Sequence, residues 1–477
     1  MRATRLLAGG LLLALCQATS LGAQSLQAAH SYDPDLADQF SWPVHADLLP
    51  PVGDGRRLHA QMLAYDARLY GTSAVLEYAQ MYAQAVDRSA PGYTGFNKFA
   101  HDRDLARPGY APFKTPNADT LYSNAWLDLT KGPMILTVPD THGTYFTANF
   151  LDIFANSSNI SARTRGFGPG RYAIVPASWK GTLPAGTQRF TVATPYCWIL
   201  LRVLAKDLRQ PTEARAIQSG FSLQAPPGTS DDREKFPAPG TTTSSSFYRV
   251  LDWILRNAGH PDTETALVYR YQALGIGLGP AAIETALNDP DLQAGMLAGF
   301  KLAGSTIEDS AALSGYPAGT WKTPADTGAY GYNYVYRAAI NTLGTGANVV
   351  EENYPFNTFV DADGDPLDGS KHAYRMTFRT PPPAKFFWSV TLYDAATREL
   401  SPNPIARYIV NDRTPGIRKA KDGSLTISVQ HDQPQAANNW LPSPAGRFYL
   451  VIRAQGPEEA LLKGQWLPPA VRKEPGL

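Results

Sequence analysis

Four groups of residues in this chain have types and spacing suited to chemistry. In Thr115-Pro116-Asn117-Ala118-Asp119-Thr120-Leu121-Tyr122-Ser123, a carboxylate, an amide and a phenol lie close together. Asp119 is a candidate acid–base group there, with Asn117 and Tyr122 as substrate contacts at a strand mouth. The competing and favoured reading is a turn whose Asn and Asp bond their own backbone. The second group is Asp152, Asn156, Arg163 and Arg165. Asp152 is in phase with Phe146, Phe150 and Phe154, which puts a carboxylate beside apolar rings. Such a carboxylate needs a cation, with Arg163 the expected partner, or its pKa rises. A structural ion pair is favoured over a catalytic one.

The third group is the loop Asp361-Ala362-Asp363-Gly364-Asp365-Pro366-Leu367-Asp368-Gly369. Alternate carboxylates at Asp361, Asp363 and Asp365 suit a hard cation such as calcium. His372 stands where an EF-hand loop wants Glu, so a solvated Asp-Gly hairpin turn is the favoured alternative. The fourth group is near the C-terminus. Arg413 sits in the polar turn Asn411-Asp412-Arg413-Thr414-Pro415-Gly416. His431 continues the alternation of Leu425, Ile427 and Val429 and is expected to face the core, either as a hydrogen-bonded core residue or as a base. Asp432 then points away, so adjacency makes no His-Asp pair. Trp440, in Asn438-Asn439-Trp440-Leu441-Pro442, is a pocket lip or a core plug.

Stronger signatures are missing from the sequence: no Gly-x-Ser-x-Gly elbow, His-Glu-x-x-His, Cys-x-x-Cys or P-loop. Gly275-x-Gly277-x-Gly279 and Gly166-x-Gly168-x-Gly170 lack dinucleotide spacing and suit turns or helix ends. Lys and Arg number 43 against 42 Asp and Glu, and no basic block carries interleaved aromatics, which sets nucleic acid aside.

The elements that must position these groups follow from periodicity. Residues 1–23 have a signal-peptide pattern: Arg2 and Arg5, then an apolar stretch from Leu6 to Leu15, then small residues. A membrane anchor or a lipid attached at Cys16 are the competing readings. If the signal is removed, Cys197 is the one cysteine left, and its apolar surroundings suit a small buried hydrophobe over a reactive thiol. No later run is long and apolar enough to span a bilayer. A leader over 24–55 precedes helical spacing at Leu58, Met62, Tyr65 and Leu69. Gly71 is expected to break this helix from a second one burying Val75, Tyr78, Tyr82 and Val86.

From about 110 the period becomes two. Strands are expected over Leu121 to Leu129, Met134 to Val138, Thr144 to Phe154, Arg171 to Val175 and Arg189 to Leu204. Residues 206–345 are a helical and loop segment, with helices at Phe247 to Ile254 and after Asp289-Pro290. Strands return at Tyr374 to Phe378, Phe387 to Tyr393, Leu425 to Val429 and Phe448 to Ile452. The expected fold is mainly β with a helical insert: two antiparallel sandwich or jelly-roll-like domains, over 56–205 and 346–477, with two leading helices.

These runs resemble a known family arrangement. Pro116 to Ser123, followed by Trp126-Leu127-Asp128-Leu129 and the stretch from Arg163 to Val175, resembles domain of unknown function 1254. Phe387 to Asp394, Asn403-Pro404, Arg407-Tyr408, Asp412 to Gly416, Asp422 to Ile427 and Asn439 to Pro442 resemble domain of unknown function 1214. Ala118 departs from the first pattern, where a second Asn is common. The resemblance implies a two-domain, largely β, often exported protein, and it brings no catalytic residues.

Two functions are expected from these observations. One is an exported envelope protein, periplasmic or secreted, acting as a hydrolase on a small molecule between the domains. Asp119, Asp152 and His431 would be its acid–base groups, with Asn117, Tyr122, Arg163, Arg413 and Trp440 holding substrate. The alternative is a non-catalytic small-ligand or glycan-binding protein, calcium-assisted, using its 9 Trp and 24 Tyr.

Overall fold

The computed structural model describes residues 52–474, except 111, 227–234, 314, 325, 436 and 437. The expected signal peptide, Cys16 and the leader up to residue 51 lie outside the described residues. Among these residues no helix is long and apolar enough to cross a membrane.

The alternating runs do form strands. Thr120–Asp128, Tyr196–Leu204 and Phe146–Asp152 are the middle strands of a five-stranded antiparallel sheet, edged by Ala100–His101 and Ser157–Ser161. One face carries Leu121, Leu127, Ile199 and Leu201, which pack on Met134, Leu136 and Ile174 of a second, four-stranded sheet. The opposite face is buried too. Tyr122, Trp126, Trp198 and Leu200 pack against the helices. Trp126 and Trp198 pair in register, their rings 5.8 Å apart and nearly parallel.

The expected single strand from Arg189 to Leu204 is two strands. Gln188–Val192 belongs to the four-stranded sheet and Tyr196–Leu204 to the five-stranded one. Pro195 has no N–H for a ladder. The Thr194 hydroxyl accepts from Ile153 N at 3.0 Å and donates to Tyr196 O at 2.8 Å, which anchors the crossing.

The C-terminal half repeats the two-sheet plan. A six-stranded sheet runs in the order Tyr316–Ala318, Trp321–Thr323, Asn353–Thr358, Phe448–Pro457, Ala384–Asp394, Ile409–Asn411. Its Phe356, Val390, Leu450 and Ile452 face Tyr374, Met376, Ile427 and Val429 of a four-stranded sheet. The sheets are mainly antiparallel, as expected, with two parallel pairs: Gly170–Pro176 with Gln188–Val192, and Leu425–Gln430 with Trp440–Pro442. The segment between the halves is largely helical, but Ser222–Gln224 returns to the first half and the hairpin at 316–323 extends the second.

The leading helices are one helix. Asp54–Met81 runs unbroken through Gly71 and ends in a π-helical turn, Tyr82–Val86. Gly71 is there for closeness: a Cβ would lie 2.8 Å from the Leu251 methyls of helix Ser244–Asn257. The expected core stripe is also corrected. Leu58 and Met62 are 57% and 62% exposed, while Ala60, Leu63, Ala64 and Ala67 are buried. The reason is the partner helix Pro290–Leu313. A Cβ on its Gly295 would meet Arg57 O at 2.4 Å, and one on Gly299 would meet Gln61 O at 2.3 Å. Two backbones that close exclude large side chains from the seam, so the small residues go inside.

Gly299→Val should therefore destabilise the protein by about 3 kcal/mol or more, because the added carbons have only backbone to displace. Gly344→Ala, where a Cβ meets nothing within 4 Å, should leave the melting temperature almost unchanged. Thermal denaturation of the two variants checks the contrast.

Candidate functional site

The segment Thr115 to Asp119 leaves its own half and is held by the C-terminal sheet. Thr115 sits at φ +56°, a left-handed conformation that a β-branched residue rarely adopts unless its surroundings impose it. Those surroundings are specific. Arg453 donates to Thr115 O at 2.9 Å, and Tyr393 donates to Pro116 O at 2.6 Å. Arg453 also donates to the Tyr393 hydroxyl at 2.8 Å, and the Tyr449 and Thr115 hydroxyls bond at 2.8 Å. Asn117 contributes through its backbone N–H, which donates to the Tyr122 hydroxyl at 2.7 Å.

Asp119 follows this clamp and is 1% exposed. Its Oδ2 accepts from Arg413 Nη2 at 3.1 Å and from Asn411 Nδ2 at 3.3 Å. Burial raises the Asp119 pKa, and the Arg413 charge and the Asn411 bond offset only part of the rise. Arg413 is itself fixed, paired with Asp412 at 2.5 Å and stacked 4.8 Å over the Phe387 ring. Asp119 and Arg413 thus meet, but as a buried structural pair joining the halves.

Arg163 does not pair with Asp152. Its Nε donates to Glu352 at 2.8 Å. Glu352 is fully buried and also accepts from Ser161 at 2.8 Å and Tyr145 at 2.6 Å, a second polar link between the halves. Nothing in the sequence marked Glu352, because its partners come from positions about two hundred residues earlier.

Asp152 closes its own turn instead. Its Oδ1 accepts from Phe154 N and Asn156 N, both at 2.9 Å, and its Oδ2 accepts from the Asn156 amide at 3.0 Å. Burial raises its pKa despite these bonds. Close to it lies Glu77, 0% exposed, whose two carboxyl oxygens have no hydrogen-bonding partner among the described protein groups. Burial, and after it the Asp152 charge, push Glu77 well above the usual carboxylate range. Cys197 is buried here as a small hydrophobe, its thiol likewise pushed up by burial.

Asp119 and Asp152 cannot share a substrate. Asp119 O accepts from Ala205 N, whereas Asp152 pairs with Cys197 on the same strand system. Eight residues of extended chain separate those partners, about 26 Å. His431 is also apart and does not face the core. It is exposed beyond the end of Leu425–Gln430, with Nδ1 3.1 Å from Ser443 O. The alternation of Leu425, Ile427 and Val429 did not carry to His431 because the strand stops at Gln430.

In the loop at 361–368 a side-chain cation already sits among the three carboxylates. Lys473 Nζ is 3.2 Å from Asp361, 3.5 Å from Asp363 and 2.5 Å from Asp365. Asp361 also accepts from the backbone of Asp363 and Asp365, closing the turn. The Lys473 ammonium holds Asp365 below its usual pKa. A calcium ion would have to displace this ammonium.

What the structure adds is a cleft of about 580 Å³ between the halves. Trp440, Tyr408, Ile409, Thr414 and Pro415 line it from the second half, and Ala118, Leu105 and Leu208 from the first. Of the sequence candidates only Trp440 lines it, with its indole N–H donating to Gln430 O at 2.9 Å. Three arginines that sequence reading did not single out also reach it: Arg107, Arg209 and Arg407. Arg407-Tyr408 stood among the family-like runs, and this was the available signal.

Arg413→Ala should cost about 3–5 kcal/mol, because it strands the buried Asp119 carboxylate. Asp119→Asn should cost less, and chemical denaturation separates the two. Glu77→Gln tests the buried acid. A folded pKa raised above the ordinary 4.5 means the folded state holds its proton more tightly than the unfolded chain. That contribution is complete below about pH 4.5 and is lost as pH rises toward the folded value. Gln carries no such dependence. The variant should exceed the parent by about 1–2 kcal/mol at pH 8 and lose that lead by pH 4. Melting curves across this range check it.

Residues 96–225 match the model of a protein of unknown function (DUF1254), and residues 352–459 match that of a second (DUF1214). No curated protein matches the chain. Among solved structures, the VPA0106 protein from Vibrio parahaemolyticus is similar in fold, at a TM-score of 0.69 and 24% identity. The match covers 87% of this chain and 100% of that one. A putative uncharacterized protein from Burkholderia cenocepacia aligns at a TM-score of 0.43 and 15% identity, over 99% of each chain. Every described residue lining the cleft lies inside one of the two matched segments. The chain carries a DUF1254 segment followed by a DUF1214 segment, in the order its sequence runs led one to expect.

Proposed function

We propose that this protein binds a small, largely apolar molecule in the cleft between its two β halves. The observation that carries the reading is the cleft itself. It has a ligand-sized volume of about 580 Å³, and its described lining residues come from both family segments. Leu105, Leu208 and Ile405 give it an apolar surface, backed by the buried Ile409 and Trp440. Trp440 is anchored by its N–H, as a preformed wall requires.

Hydrolysis is the weaker reading. A water-activating base must reach the substrate. Asp119 and Asp152 are about 26 Å apart by strand spacing, and the described lining residues include no carboxylate or histidine. Thr414 is committed to Asn411 at 2.9 and 3.1 Å. For the address of the protein we retain export, on the charged-then-apolar pattern of residues 1–23.

The neutral dye N-phenyl-1-naphthylamine provides the test. Its fluorescence should rise on binding to the full chain. Ile405→Trp, at a cleft position 43% exposed and so tolerant of a larger side chain, should reduce that uptake by about tenfold or more. An unchanged titration with the variant would remove the cleft as the binding site.

A further inference from the structure

A second opening lies where the helical segment meets the six-stranded sheet. It holds about 770 Å³ and shares no described lining residue with the cleft. A row of rings ends in it. Tyr393 and Tyr449 are register partners on neighbouring strands, their rings 5.2 Å apart and 24° from parallel. Phe359 directly follows Thr358, the register partner of Leu450, so it extends the row from the next strand. Its ring lies 4.6 Å from that of Tyr449 and within 12° of parallel. Tyr393 and Tyr449 are buried, whereas Phe359 is 50% exposed.

The inner rings of the row are fixed. Arg453 donates to the Tyr393 hydroxyl at 2.8 Å, and the Tyr449 and Thr115 hydroxyls bond at 2.8 Å. The exposed ring at the end of such a stack offers a flat apolar face that is already in place. Around it stand polar groups of both signs. Glu308, on helix Pro290–Leu313, and Lys322, on strand Trp321–Thr323, are exposed. Asn357 and Arg398 are half-buried beside them. Arg398 is positioned by its Nη1, which donates to Leu343 O at 3.0 Å. The Glu308 charge also acts on Arg68, so the acid is not isolated.

We propose that this groove is a second binding site, for a neutral saccharide whose C–H face lies on Phe359 and whose hydroxyls meet Glu308, Lys322, Asn357 and Arg398. The site stands independently of the cleft. Sugar hydroxyls both donate and accept, so one molecule answers a carboxylate, an amide and two cations together. An anion would meet like charge at Glu308, and a cation would meet it at Lys322 and Arg398. A flat hydrocarbon would cover the ring but strip water from those polar groups without bonding them.

Saturation-transfer NMR of the full chain tests the site with the methyl pyranosides of glucose, galactose, mannose and N-acetylglucosamine. At least one of these probes should give a saturable signal. Phe359→Ala should weaken its binding by about tenfold, the loss of one aromatic contact. Glu308→Ala should also weaken it by about tenfold, the loss of a hydrogen bond to a charged group. If Phe359→Ala melts early, Glu308→Ala, which removes an exposed side chain and no ring contact, decides the matter. N-phenyl-1-naphthylamine uptake should be unchanged in both variants, so this site and the cleft are read separately. Failure of all the sugar probes to bind overturns the proposal. Binding that survives both substitutions places the sugar elsewhere and overturns it as well. Indole bound in the groove, lost in Phe359→Ala and displaced by none of the sugars, makes this an aromatic-ligand site and overturns the saccharide assignment.

Discussion

The two halves are held together by the capture of one short segment. Thr115 to Asp119 belongs in sequence to the first sheet and in bonding to the last. Arg453, Tyr393 and Tyr449 grip its backbone and the Thr115 hydroxyl, and Arg413 and Asn411 take the Asp119 carboxylate. Burying a carboxylate is costly unless cation and donors stay in place, so this junction tolerates little sliding. Glu352 repeats the device with Tyr145, Ser161 and Arg163. Between the two polar links, Phe386 and Phe387 pack on Tyr145, so the interface is apolar with charged pins.

The cleft is a by-product of that geometry. The Asn411–Thr414 turn that ends strand Ile409–Asn411 supplies Asn411 and Arg413 to Asp119, while Ile409 and Thr414, on either side, line the cleft. Ala118 does the same from the other half, one residue before the buried carboxylate. Its methyl takes little volume at the wall, so a larger residue there would narrow the space. The residues that pin the halves and those that line the cavity are interleaved in sequence, which couples the shape of the binding space to the stability of the junction.

Charge divides in the same way. Inside the junction each of two buried carboxylates has an answering cation: Asp119 with Arg413, Glu352 with Arg163. Arg453 in the junction and Arg407 at the cleft donate instead to backbone carbonyls. The aromatic richness of the chain has a plainer explanation. Trp126, Trp198, Trp321 and Trp440 are all fully buried or nearly so, and most of this aromatic surface builds core.

The sequence by itself determined the elements: period-two runs made strands, period-three-and-four runs made helices, and Pro and Gly placed many of the breaks. These are local effects of backbone geometry and propensity, so a single chain suffices to read them. It did not determine which faces are buried. Leu58 and Met62 look like core, yet Ala60 and Ala64 are inside, because the glycines that admit them lie about 235 residues away. Pairing was equally hidden. Arg163 and Asp152 looked like partners from eleven residues apart, while the actual partner, Glu352, is set by how two sandwiches meet. The binding space is the extreme case. Arg107, Arg209 and Arg407 come from three loops with no local pattern, and only tertiary structure brings their charges to one wall. Coulomb attraction acts on distance in space and is blind to distance along the chain.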